Sequence, residues 1–392
     1  MSGSLLVTVT GPDHRGITAA LTEVLDRRGA ALVDIEQVVV RTHLTLCLLV
    51  EAADPDGLVG ALREAVEGLG LELSTRRLED PDASDGRPRY AVTAIGDALG
   101  ASGLHALTRA LTDHEANIEW IRRLSQDGLT SVEITCAFPD HARAAGLRRA
   151  LLEAEATRDL DVAVQRERLT RRSKRLVVMD MDSTLIQVEV IDELARLHGV
   201  EAAVADITRR AMEGELDYEA SLRERVRMLA GLPFSRAKEL AARLPLQAGA
   251  RELLRVLHTL GFRTAVISGG FDFAANAVKE ELGLHYAYAN RLEVEGGALT
   301  GRVLDPVVTP SRKADLLDAI AQQEGIALEQ TIAIGDGAND AMMLERAGLG
   351  IAFHAKPALK ESADTSLSAG SLDRVLYLLG LHARDVRELL DG

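Results

Sequence analysis

The sequence predicts an α/β chain in which an open, mostly parallel sheet wound with helices follows two smaller βαββαβ units. Three observations predict it. The order strand, helix, strand, strand, helix, strand is written twice, over residues 5–77 and again over 90–167. Beyond residue 175, short apolar runs without alternation stop at polar residues: LVVM at Asp180, TAVI at Ser268 and TIAIG at Asp336. Runs of that kind suit strands covered on both faces of a parallel sheet. Finally, at roughly 100–200 residues per domain, 392 residues supply enough chain for two to four cores.

In the first unit, residues 5–10 (LLVTVT) form a strand and Gly11–Gly16 (GPDHRG) a turn. Ile17–Arg28 follows as an amphipathic helix with Leu21, Val24 and Leu25 on one side. Strands near 31–40 and 43–51, a helix over about 55–69 and a strand near 71–77 complete it. The turn-rich DPDASDGRP, Asp80–Pro88, separates the copies. In the second unit a strand starts at Tyr90, GDALGASG forms the turn, and a helix runs through Leu104–Leu111. Strands near 117–124 and 130–138, a helix over 141–155 and a strand near 160–167 follow. Cys47 and Cys136 fall in corresponding strands, each within an apolar segment, and read as buried reduced thiols rather than a disulfide. RLTRRSKR, Arg168–Arg175, reads as a linker or solvated face.

A formal charge of −15 argues against a nucleic-acid backbone or an anionic membrane as partner, since the summed field repels both. An anionic substrate therefore needs a local positive pocket. The first residues, MSGSLLVTVTGPD, carry neither a basic start nor a small-residue cleavage site, and no apolar run is long enough to span a bilayer. The cytoplasm is the expected location.

The chemistry begins at the strand ends, which in an open α/β sheet border the ligand crevice. Asp180 and Asp182, one residue apart, place two carboxylates together, which costs free energy unless a cation or a shared proton compensates. GDGAND, Gly335–Asp340, adds Asp336, Asn339 and Asp340 at the same edge. An aspartate after a strand can instead simply cap the next helix, and Ser268 can be a turn residue. Together, however, four acidic groups without histidine or cysteine suit a hydrated hard cation, magnesium better than zinc. Lys313 opens the helical ADLLDAIAQQ pattern, near a positive helix end that disfavours a cation and attracts phosphate. The alternative is a solvated surface lysine. In DYEASLRERVRML, Tyr218, Leu222, Val226 and Leu229 form a stripe, and Arg225 points within about 20° of Tyr218 at about 3.6 residues per turn. Such an arginine lines a pocket or makes a structural ion pair.

The tandem units with GPDHRG at the first strand–helix turn resemble ACT domains, ferredoxin-like modules that commonly bind amino acids between paired copies. DMDSTL, SGG, Lys313 and GDGANDAM, in that order, resemble the four motifs of the haloacid-dehalogenase-like phosphatases. Within that superfamily, DMDSTLIQVEVIDELA, MEGELDYEASLRERV and ISGGFDF resemble the phosphoserine phosphatases that carry N-terminal ACT domains.

The resemblance implies an ACT-like domain over 1–80, another over 88–168, and a Rossmann-like phosphatase domain over 175–392 with a helical cap about 187–247. It implies hydrolysis of O-phosphoserine to serine, the last step of serine biosynthesis. Asp180 is the implied nucleophile and Asp182 the general acid and base. Magnesium is held by Asp180, Asp336 and the backbone carbonyl of Asp182, with Asn339 and Asp340 orienting the site and holding the metal's waters. Ser268, Gly269, Lys313 and Asn339 serve the phosphoryl group, Glu189 the substrate ammonium and Arg225 its carboxylate, with Met212 and Tyr218 around its aliphatic part. In the ACT units, Gly11, Asp13, Gly16 and Gly103 are the implied effector residues, with serine as candidate effector and a homodimer as the assembly; the second copy lacks a counterpart of Asp13. The rival classes are a superfamily member acting on another phosphoester and an amino-acid-binding regulator with an inert phosphatase module.

Overall fold

The computed structural model describes residues 4–78, 86–97, 99–126, 128, 130–155, 160–168, 171 and 173–391. Most of the Asp80–Pro88 turn and part of the Arg168–Arg175 segment lie outside the described residues. The chain divides into two compact units, Met1–Gly86 and Arg87–Gly392.

The first unit runs β1 (Ser4–Pro12), α1 (Ile17–Arg27), β2 (Ala31–Val40), β3 (His43–Glu51), α2 (Pro55–Gly68) and β4 (Glu72–Leu78). Its antiparallel sheet has the order β2-β3-β1-β4. Alternate residues of the central strands, such as Val7, Val9, Leu46 and Leu48, bury against Leu21, Leu25, Leu58 and Leu62 of the two helices. β1 extends beyond the expected end, pairing Gly11 with Leu44 and Pro12 with His43, so the turn is shorter than GPDHRG. Gly11 is backbone-only for a steric reason: a Cβ there would lie 2.6 Å from Leu71 Cδ2. All ten residues of β2 are exposed.

Strands and helices then repeat as β5 (Arg89–Ile95), α3 (Gly100–Asp113), β6 (Asn117–Arg123), β7 (Ser131–Ala137), α4 (His141–Glu155) and β8 (Asp161–Arg166), in sheet order β6-β7-β5-β8. The helix begins earlier than its apolar pattern indicated. Gly103 donates its N–H to Leu99 O at 3.0 Å and lies in the first turn of α3, not in the loop assigned to an effector. Cys47 and Cys136 do sit in corresponding strands, β3 and β7, but on opposite faces. Cys136 is packed in the core, where burial pushes its thiol up to about 12, whereas Cys47 is only half-buried among the residues alternating with that core.

The third sheet holds seven strands in the order β12-β11-β10-β9-β13-β14-β15. Its strands are β9 (Leu176–Met179), β10 (Arg263–Phe271), β11 (Tyr286–Glu295), β12 (Ala298–Leu304), β13 (Thr331–Gly335), β14 (Gly350–Phe353) and β15 (Thr365–Leu367). All neighbours are parallel except β11 and β12. All residues of β9 and β13 are buried, as their unbroken apolar runs require. Strand order reverses between β9 and β13, which fixes the crevice at their carboxyl ends.

Between β9 and β10 stand α5 (Val190–His198), α6 (Glu201–Met212), α7 (Tyr218–Arg227), α8 (Phe234–Ala241) and α9 (Ala250–Thr259). The chain leaves and re-enters the core through paired backbones: Gln187 donates to Pro245 O at 2.9 Å and Gln247 to Leu185 O at 2.8 Å. Helix α10 (Asp272–Leu282) follows β10, α11 (Pro310–Glu324) precedes β13, and α12 (Ala341–Arg346) follows it. No helix among the described residues is long and apolar enough to cross a membrane.

The second βαββαβ unit is built onto this sheet. Asp161 on β8 accepts the Ser368 N–H at 2.8 Å, Gln165 donates to Leu378 O at 3.0 Å, and Ala383 donates to Leu124 O at 2.9 Å. Ile95 and Ala163 belong to the same apolar core as Val177 and Ile332. The expectation of a solvated face for Arg168–Arg175 fails at two of its described residues. Arg171 is buried with ion pairs to Glu133 and Glu167, and buried Lys174 donates to the Glu329 and Thr331 carbonyls at 2.6 and 3.3 Å. Arg171 and Lys174 lie in a protein seam, where buried basic groups need partners, whereas Arg168 and Arg175 are exposed.

Candidate active site

The four-residue β9 ends at Asp180, whose N–H donates to Ile334 O of β13 at 2.9 Å, so the aspartate is fixed by the neighbouring strand. Asp336 stands at the end of that strand. Lys313, on the first turn of α11 and fully buried, donates 2.7 Å bonds to Oδ1 of Asp180 and to Oδ1 of Asp340. The solvated alternative for this lysine is excluded. Asp340 spends its other oxygen on the Gly337 N–H at 3.1 Å. Asp180 Oδ2 has no hydrogen-bond partner among the described residues.

Ligand oxygens of Asp180, Asp336 and Asp340 lie within 4.8 Å of one another, with no histidine or cysteine in the group. Three carboxylates stand near one ammonium, which bonds only Asp180 and Asp340, and the electrostatics register the imbalance. Burial and then the Asp340 charge hold Asp180 well above the usual carboxylate range, against the opposing pull of Lys313. Asp182 is also raised well above that range, by burial and then by Glu189 and Asp180. Asp336 is pushed up to about 7 by burial, then by Asp340 and Glu189. Burial alone would lower Lys313, but the carboxylates of Asp180 and Asp340 outweigh it and raise its pKa. Such a cluster fits a divalent cation with oxygen ligands.

Asp182 turns toward the second strand. Its Oδ1 accepts the Val190 N–H at 3.3 Å, which ties it to the start of α5, and its Oδ2 lies beside Gly270, only 2.6 Å from where a Cβ there would stand. Ser268, fully buried, accepts the Gly270 N–H on Oγ at 2.8 Å. Gly269 has no room for a side chain: a Cβ would meet the Tyr218 hydroxyl at 2.0 Å and the Asn339 amide nitrogen at 3.8 Å. Asp180, Asp182, Ser268, Gly269, Lys313, Asp336, Asn339, Asp340 and Tyr218 thus converge on one crevice. Burial pushes Tyr218 up to about 12, because its hydroxyl end is enclosed although the residue as a whole is half-exposed.

The remaining expected residues lie on the helical insertion. Glu189 precedes α5, accepts the Ser183 hydroxyl on Oε1 at 2.8 Å, and is near enough to perturb Asp182 and Asp336. Arg225 on α7 is half-buried, with Nε 3.4 Å from Ser221 O and its charge felt by Asp192 and Tyr218. Met212 is different. At 70% exposure it is not packed around anything, and it lines an open cleft of about 460 Å³ with Asp192, Arg196 and Thr208.

Three positioning residues were given no role from the sequence, although Ser183 and Thr184 lie within DMDSTL. Thr184 donates to Asp336 Oδ1 at 3.1 Å and bridges β9 to β13. Ser183 holds a left-handed φ of 58°, a conformation that L-residues rarely take without a constraint. Asn290, fully buried on β11, donates to Gly269 O and accepts the Val308 N–H, both at 2.7 Å. One amide therefore ties the Ser268–Gly270 stretch of β10 to the segment that leads into Lys313. An asparagine inside a strand announces none of this; only pairing with two distant segments does.

In the ACT-like units, Gly16 caps α1 at φ 96° with open space around its Cβ position, and exposed Asp13 donates its N–H to Thr42 O at 2.8 Å.

Comparison with known proteins places these units in families. ACT-domain models match residues 4–76 and 89–165, and the model of the haloacid dehalogenase-like hydrolases matches 177–345. Phosphoserine phosphatase SerB2 of Mycobacterium tuberculosis is 44% identical over 96% of this chain and 93% of its own length. Phosphoserine phosphatase of Streptomyces coelicolor is 44% identical over 98% of this chain and 93% of its own length. Among solved structures, a HAD-family hydrolase of Salmonella enterica serovar Typhi superposes with a TM-score of 0.65 at 29% identity, covering 74% of this chain and 98% of its own.

Proposed function

The chain belongs to the ACT-bearing phosphoserine phosphatases of the haloacid dehalogenase-like hydrolases, and from that premise we propose that it hydrolyses O-phospho-L-serine through an aspartyl-phosphate on Asp180. The observation that carries this reading is the state of Asp180. One carboxylate oxygen is fixed by Lys313 at 2.7 Å, and the other has no partner among the described residues. A carboxylate held in that way is a positioned nucleophile.

Magnesium suits the all-oxygen cluster and would be held by Asp180, Asp336 and the backbone carbonyl of Asp182, with Asp340 beside it. When bound it supplies charge neutralisation for the phosphoryl group. The rest is done by this chain's side chains. Asp180 attacks phosphorus as the bond to the serine oxygen breaks, and Asp182, whose raised pKa keeps a proton available, delivers it to the departing alkoxide. Asp182 then takes a proton from water, whose oxygen attacks the aspartyl-phosphate and releases phosphate and free Asp180. Ser268, the Gly269 amide and Lys313 hold the phosphoryl oxygens, and Asn339 with Asp340 orients the site around the substrate. Glu189 meets the substrate ammonium and Arg225 its carboxylate, by charge-assisted bonds. Tyr218 walls the site, and Met212 joins it as the insertion closes over the substrate.

This hydrolysis is proposed as the last step of serine biosynthesis, in the cytoplasm. Serine is also the proposed effector, at the Gly11–Gly16 turn with Asp13, in a homodimer paired through the ACT units. The exposed edge strand β2 supports that assembly. Val33 and Val40 on it are 50% and 68% exposed, and an apolar unpaired edge invites a second chain. The experiment is phosphate release from a panel of phospho-amino acids, first after metal removal and then with magnesium restored. Phosphoserine turnover that depends on magnesium supports the reading, and preference for a phosphopeptide or another phosphomonoester contradicts it.

A further inference from the structure

A second cluster of charge lies far from the catalytic crevice, at the seam where the second βαββαβ unit meets the catalytic sheet. There a cavity of about 270 Å³ is lined by Arg166, Arg168, Arg171, Lys174, Glu329 and Asp364, with apolar residues between them. Some of these charges are already matched. Arg171 is paired with Glu133 and Glu167, and Asp364 accepts the Gly350 N–H and stands 3.7 Å from Arg148. What remains is Arg166, Arg168 and Lys174 against Glu329, a local positive surplus in a chain whose formal charge is −15. Neither Arg166 nor Arg168 has an ion pair among the described residues.

Two buried groups are left incomplete. The Arg171 side chain is 3% exposed, and its Nε, closed to solvent, has no hydrogen-bond partner among the described residues, a state that costs free energy. Among the described residues Lys174, 7% exposed, has only backbone carbonyls as hydrogen-bond partners, and burial lowers its pKa to about 8. Clefts that concentrate one sign of charge between low-dielectric walls attract the opposite ion. A cavity of this size admits a small ligand rather than an extended one.

We propose that this seam cavity binds a small polyvalent oxyanion, a free phosphate or a compact dicarboxylate, held by Arg166 and Arg168 beside the buried Lys174 ammonium. The site is distinct from the catalytic one. Lys174 reaches the carbonyl of Thr331, where β13 begins, whereas Asp336 follows that strand's other end, about 16 Å away at about 3.3 Å per residue.

The test is equilibrium binding by calorimetry to the magnesium-loaded full chain, with inorganic phosphate in one arm and succinate in the other. Arg166 and Arg168 are exposed, so the double variant Arg166→Ala/Arg168→Ala should fold and keep the wild-type kcat and KM for phosphoserine. Wild type should bind one more equivalent of phosphate than the double variant. If succinate instead shows that difference, the site is real and its ligand is a dicarboxylate. Equal stoichiometry in both proteins, in both arms, overturns the proposal.

Discussion

Lys313 Nζ lies 2.7 Å from Asp180 Oδ1, and both groups are buried. The same nitrogen is 2.7 Å from Asp340 Oδ1, so a single ammonium separates two carboxylates that would otherwise face each other in a low-dielectric crevice. Replacing it tests both its structural and its chemical share. Lys313→Met should lower kcat by about 10²- to 10³-fold. It should also destabilise the metal-free fold by about 3–5 kcal/mol, since it leaves buried charge uncompensated. Turnover and the urea midpoint measured on the same preparation check this. A kcat within tenfold of wild type contradicts the role.

Magnesium binding should be coupled to a proton. Asp336 is raised from 3.8 to about 7 in the metal-free site, first by burial and then by the Asp340 and Glu189 charges. Between those values the folded chain holds a proton that the unfolded chain releases. This group's contribution to metal-free stability is therefore full below the unfolded pKa and is lost as pH rises through about 7. The cation needs the carboxylate, so its apparent affinity should fall about tenfold per pH unit below that value and level off above it. Magnesium titrations followed by calorimetry at acid, neutral and alkaline pH decide the point, and a flat profile contradicts it.

Arg225→Ala should cut kcat/KM for phosphoserine by about 10- to 100-fold, the worth of a charge-assisted hydrogen bond, and leave an aryl phosphate within about threefold. The aryl ester offers no carboxylate to lose. Equal losses on both substrates would make Arg225 a structural residue, held to Asp192 rather than to substrate.

Two truncations should behave differently. A chain starting at Arg87 keeps its compact unit whole and should fold, with serine inhibition weakened relative to the full chain if the effector acts through the first unit. A chain starting near Thr170 loses β8 and uncovers Ser368, Leu378 and the core around Val177, so it should be less stable or insoluble. Thermal unfolding and serine inhibition of each chain are the measurements. Purely competitive inhibition by serine, identical in the full chain and the Arg87 chain, contradicts regulation through the first unit.

How much of this was legible in the sequence depends on the range of the interaction concerned. Asp180, Ser268 and Asp336 could be placed at one sheet edge because each follows an apolar run, and a strand's end fixes where its last side chain goes. Lys313 had two readings until its 2.7 Å contacts excluded the solvated one. Gly103 was misplaced because glycines look like loop, although the backbone bond to Leu99 already makes that position helical. The two cysteines matched in strand but not in face, since a shift of one residue in a pleated strand reverses the side chain. Asn290 and buried Arg171 were missed because their partners lie far along the chain, and local periodicity carries no information about pairing between distant segments.

The central claim is covalent catalysis by Asp180, and turnover of phosphoserine by Asp180→Asn tests it most directly. With magnesium present and near-UV circular dichroism confirming a native fold, the variant should lose more than about 10⁴-fold in kcat, because an amide oxygen is not an adequate nucleophile. Turnover within tenfold of wild type would contradict the covalent route.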